Sequence, residues 1–96
     1  MKISASQIAG IIDHTLLKPD AVSEEVRHLC EEALEFGFAT VCINPVHVRQ
    51  CADQLVGSEI GVCTVVGFPL GASFTTEKAA AVSQSLEDGA VEFDMV

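Results

Sequence analysis

Short apolar runs alternate along this chain with longer stretches whose apolar residues recur at helical spacing. The densest run is Ile-Gly-Val-Cys-Thr-Val-Val-Gly-Phe-Pro-Leu-Gly at 60–71. It is rich in β-branched residues, too short for a buried helix, and closed by Gly67 and Pro69. Such a run reads as a strand buried on both faces, as in a parallel sheet covered by helices. The Phe-Pro-Leu-Gly-Ala-Ser that follows has loop composition and leads into a helical pattern. Strand, loop and helix make a βα unit with its loop at the strand's carboxyl end, where α/β folds bind ligands.

The pattern extends in both directions. Ser4-Ala-Ser-Gln7 fits a capping box, with Ile8, Ile11 and Ile12 on one face of a short helix. Residues 12–17 are a strand candidate ended by Lys18-Pro19. Ser23 is placed to cap a helix over 24–36 that packs through Val26, Leu29, Cys30, Ala33 and Leu34, with Gly37 as its C′ residue. Residues 38–43 form the next strand. Asn44 as N-cap and Pro45 at the first helical position predict a helix to residue 56. Thr75 or Thr76 predicts the cap of a helix to Asp88, packed through Ala79, Ala80, Val82, Ser83 and Leu86. Residues 90–96 begin a fourth strand.

A helix followed by βαβαβαβ implies α/β architecture, a parallel sheet with right-handed crossovers. A doubly wound open sheet and a (β/α)8 barrel share this pattern. The last strand has no helix after it to cover it, so the chain is expected to be part of something longer. It reads as one domain over 1–96, a partial (β/α)8 barrel of four strands.

Composition narrows the possibilities. With 96 residues and 49% hydrophobic content the chain holds one small domain with a real core. A formal charge of −9, from five basic and fourteen acidic residues, excludes a nucleic-acid surface. No apolar run approaches the roughly 20 residues of a membrane span, and no signal peptide is visible. Cys30, Cys42, Cys51 and Cys63 form no C-x-x-C pair and sit inside apolar patterns. They read as buried reduced thiols, not zinc ligands, and a cytoplasmic location follows.

Two polar clusters interrupt the strands. Asp94 lies between Phe93 and Met95, where a carboxylate is costly to bury without a partner. Alternation puts Glu92, Asp94 and Val96 on one face. Facing a barrel axis near a strand's carboxyl end, Asp94 is placed for proton transfer; the competing reading is an acid bonded to loop amides. Asp13-His14-Thr15 offers an acid, a base and a hydroxyl, or else local capping. Cys42 and Thr64 are candidates to point inward. Lys2, Lys18 and Lys78 all lack the desolvated setting that a Schiff-base lysine needs. No P-loop, G-x-G-x-x-G or G-x-S-x-G occurs.

Four motifs, Ile12-Asp-His-Thr-Leu-Leu-Lys-Pro19, Ala39-Thr-Val-Cys-Ile-Asn-Pro45, Thr64-Val-Val-Gly-Phe-Pro-Leu-Gly71 and Gly89-Ala-Val-Glu-Phe-Asp-Met-Val96, resemble those of 2-deoxyribose-5-phosphate aldolase. The resemblance covers essentially the whole chain, as the amino-terminal half of such an enzyme. It implies a (β/α)8 barrel and a class I aldol reaction that joins acetaldehyde to glyceraldehyde 3-phosphate through a lysine Schiff base. It implies no cofactor and no metal. By motif, Asp94 resembles the family's proton-relaying aspartate, and Asp13 an aspartate of the same network. Cys42, Val65 and Thr15 resemble residues of the substrate pocket. The resemblance also implies that the Schiff-base lysine and the phosphate-binding residues lie on strands beyond this chain, so the chain is expected to be inactive alone. The alternative is a self-standing βα oligomer with a structural or binding role. The unfinished sheet leads either way to an expected homo-oligomer, a dimer or a multiple of one, with a small phosphorylated sugar or aldehyde as ligand once a second half completes the site.

Overall fold

A computed structural model describes residues 2–96. The elements in order are α1 (Ala5–Ala9), β1 (Asp13–Leu16), α2 (Ser23–Phe36), β2 (Thr40–Ile43), a 3-10 turn (Pro45–His47), α3 (Val48–Gln54), β3 (Gly61–Val66), α4 (Thr75–Asp88) and β4 (Glu92–Met95). The strands form one parallel sheet in chain order, β1-β2-β3-β4. This sequential order is that of four consecutive strands of a (β/α)8 barrel, and not the reversing order of a doubly wound sheet.

The two faces of the sheet differ. Val41, Ile43 and Val62 pack against Val26, Leu29, Cys30 and Ala33 of α2 and Val48 and Cys51 of α3. Leu16 and Phe93 are partly buried against the same core. The opposite face carries a small cluster of Cys42, Cys63 and Val65, with Leu17 against it. β3 is buried on both faces from Val62 to Val66, as its composition requires.

Local chemistry departs from expectation at several helix ends. The Ser4 capping box forms, but α1 buries Ala9 and leaves Ile8 and Ile11 exposed. Val22, not Ser23, is the N-cap of α2, and Glu25 accepts a hydrogen bond from the Val22 amide at 3.1 Å. Leu34 is exposed, because it lies just off the stripe that faces the sheet. Asn44 makes no cap bond; its amide donates to the Leu17 carbonyl at 3.2 Å, tying β2 to β1. The helix expected over 45–56 opens as the 3-10 turn and ends at Gln54. α4 starts after Phe74 and is rotated from the predicted face. Ser85 is buried and Ala81 and Val82 are half-buried, whereas Ala79, Ala80, Ser83 and Leu86 are exposed. Small residues on both sides of α4 left its phase undetermined by pattern.

Candidate active site

Strand alternation and register decide which side chains meet. Asp13 pairs with Thr40, Thr15 with Cys42, Cys42 with Cys63, Cys63 with Glu92, and Val65 with Asp94. Residues in these rows share a face. All five residues singled out from the sequence, Asp13, Thr15, Cys42, Val65 and Asp94, therefore lie on the face opposite α2 and α3. Two other expectations fail for the same reason. His14 points to the helix side, 3.2 Å from Glu32 and stacked on Phe38 with ring centroids 4.6 Å apart. Thr64 also faces the helices, donating to the Ile43 carbonyl at 2.8 Å.

The site has a buried floor and exposed carboxylates. Cys42, Cys63 and Val65 are each at most 4% exposed, while Asp13, Thr15, Glu92 and Asp94 are open to solvent. Asp94 is the third residue of β4, toward the carboxyl end, and Asp13 is the first of β1, lower in the sheet. Thr40 Oγ1, almost fully buried, donates to Asp13 Oδ1 at 2.7 Å and fixes the carboxylate against β2. Thr15 Oγ1 donates to the Asp13 carbonyl at 2.8 Å, which orients the hydroxyl along its own strand.

The thiols are held in their protonated form. Burial pushes the Cys42 thiol up, and the charges of Asp13 and Asp94 add to it. Burial likewise raises Cys63, to about 12, helped by Cys42, Asp13 and Glu92. Neither sulfur is activated as a nucleophile. Among the described residues no lysine stands on this face. Lys18 follows β1 and pairs with Glu25 at 2.6 Å, and Lys78 lies in α4 beside Gly67.

The loop from β3 to α4 closes the carboxyl end. Gly67 and Gly71 have φ of 74° and 68°, and the Gly71 amide donates to the Gly67 carbonyl at 2.7 Å. A Cβ on either glycine would stand 3.0 Å from backbone atoms of Val96, so the loop lies directly against the exit of β4. Thr40 was not singled out from the sequence, and Cys63 and Glu92 were read only as a buried thiol and as a neighbour of Asp94 on its face. Counting back two from Cys42, and across from Cys63, would have found them.

The chain as a whole resembles known proteins. The chain is 56% identical over 90 residues to deoxyribose-phosphate aldolase 1 of Bacillus licheniformis, covering 94% of this chain and 40% of that protein. It is 53% identical over 90 residues to the deoxyribose-phosphate aldolase of Clostridium kluyveri, covering 94% and 41%. The chain is homologous to part of the deoxyribose-phosphate aldolases. The solved tetrameric deoxyribose phosphate aldolase from Aeropyrum pernix matches the fold with a TM-score of 0.90 at 36% identity, over 96% of this chain and 39% of that one. No family model matches the chain. This deoxyribose-phosphate aldolase relative spans about two-fifths of the length of the curated proteins it matches.

Proposed function

We propose that this face is the acid-bearing part of a class I aldolase site for 2-deoxyribose 5-phosphate. The observation that carries the reading is the placement of Asp13, Thr15, Cys42, Val65 and Asp94 on a single face of the sheet, with both carboxylates reachable from solvent. In this reading Asp94, near the strand tips, exchanges protons with the substrate's reacting centre. Asp13, fixed by Thr40, sets the electrostatics beneath it. Thr15 presents a hydroxyl, and Cys42 and Val65 form an uncharged wall that keeps water from the aldehyde. The Schiff-base lysine comes from outside the four strands, so the chain by itself does not turn over. No metal takes part in this reaction. Four free thiols suit a reducing compartment such as the cytoplasm. No described helix is long and apolar enough to cross a membrane.

The same reading includes self-association. β1 and β4 are the outer strands of the sheet, and Val91 and Met95 on the β4 side are 66% and 62% exposed. Such an edge recruits a second chain.

The direct test is a chimera in which this chain replaces the matching part of the Bacillus licheniformis relative. It is expected to cleave 2-deoxyribose 5-phosphate, and Asp94→Asn in it to lower kcat by about 100-fold or more, the usual contribution of a positioned acid or base. A folded chimera without turnover, or one indifferent to Asp94→Asn, overturns the reading.

A further inference from the structure

Asp13, Glu92 and Asp94 share one face, and none of them forms an ion pair among the described residues. Within that face a carboxylate oxygen of Asp13, the sulfur of Cys63 and a carboxylate oxygen of Glu92 lie within 4.8 Å of one another. A second sulfur lies beside Cys63 but outside this group of three. Cys42 is the register partner of Cys63, is 4% exposed, and packs against it on the floor of the face. We propose that Asp13, Cys63 and Glu92, with Cys42 beside them, form a binding site for a thiophilic divalent cation of the zinc and cadmium class.

The donor set selects the class. Magnesium and calcium take six or more oxygens, which this group cannot supply, whereas sulfur with carboxylate oxygen suits zinc and cadmium, the ion displacing the Cys63 proton to solvent as it binds. The geometry needs little change. Donor atoms around a tetrahedral zinc stand roughly 3.5 Å apart, so the group must close by about 1 Å. Glu92 is exposed and free to make that movement, while Asp13 is already held by Thr40. The donors come from β1, β3 and β4, three strands of one sheet, which fixes their spacing better than a loop would. Spacing along the chain could not reveal the set, because the cysteines belong to neighbouring strands and not to a turn. The proposal is independent of the aldolase reading. If both hold, the ion competes for Asp13.

The chain contains no Trp and no Tyr, so absorption from a cadmium–thiolate bond stands clear of aromatic background. Titrate the reduced full chain with cadmium alone, then displace it with zinc. One equivalent is expected to saturate the signal. Cys63→Ser is expected to remove most of the signal. Cys30→Ala, which alters a thiol buried between helices, should bind as the parent does. Asp13→Asn combined with Glu92→Gln changes only exposed groups and is expected to weaken binding at least about tenfold. Binding that survives Cys63→Ser, is lost equally in Cys30→Ala, or ignores the double carboxylate variant overturns the site. Should Cys63→Ser fail to fold, the carboxylate variant decides alone.

Discussion

Gly89→Ala probes the seam between α3 and α4. Gly89 ends α4 with φ 116° and ψ 8°, outside the range of an ordinary L-residue. A Cβ there would stand 2.5 Å from the Ala52 Cβ on α3. Two effects therefore add. The backbone conformation costs about 1–2 kcal/mol for a residue with a side chain. Forcing a methyl into occupied space costs about 1–3 kcal/mol more. The expected loss is roughly 2–5 kcal/mol, a large share of the stability of a small domain. Gly37 is the matched control. It ends α2 with φ 71°, but a Cβ there meets nothing within 4 Å, so Gly37→Ala should show the backbone effect alone. Urea unfolding followed by far-ultraviolet circular dichroism measures both, since the chain has no Trp to report by fluorescence. Ala52→Gly removes the obstructing methyl, at about 1 kcal/mol for glycine inside a helix. Combined with Gly89→Ala it should be less harmful than the sum of the two, with a coupling of about 1 kcal/mol or more. Equal losses at Gly89 and Gly37, or strict additivity with Ala52→Gly, would refute the packing account.

The other expectations use the same unfolding assay unless stated. Asp94→Asn should leave stability within about 0.5 kcal/mol of the parent, because the carboxylate is exposed and forms no ion pair among the described residues. Thr40→Val removes the buried donor to Asp13 and should cost about 1–2 kcal/mol, with Thr40→Ser recovering most of it. Cys63 titrates at 9.0 in the unfolded chain and about 12 when folded, so its contribution to stability is complete below pH 9.0 and lost as pH rises toward 12. Cys63→Ala should flatten that alkaline decline; an unchanged slope argues against the raised thiol.

The sequence carried the topology because β2 and β3 are compact apolar runs bounded by glycine or proline, and the longer connecting helices α2 and α4 show their period. The site was legible through alternation. Once Cys42 and Val65 point to one face, the register brings Asp13, Thr15 and Asp94 with them. What could not be read was set by partners distant in sequence. His14 turned out to belong to Glu32 and Phe38, and Asn44 to the Leu17 carbonyl. The phase of α4 was hidden because alanine and serine occupy both its faces.

The order β1-β2-β3-β4 also has a kinetic meaning. Asp13 pairs with Thr40, Thr40 with Gly61, and Cys63 with Glu92, so each strand finds its partner within about thirty residues. No strand must wait for one made later to be inserted beside it. As the chain leaves the ribosome, each new helix and strand can settle onto the edge already formed, and the sheet grows in the direction of synthesis. At every stage the growing edge stays open, with β1 as the fixed edge on the other side, so each unit has a place to add.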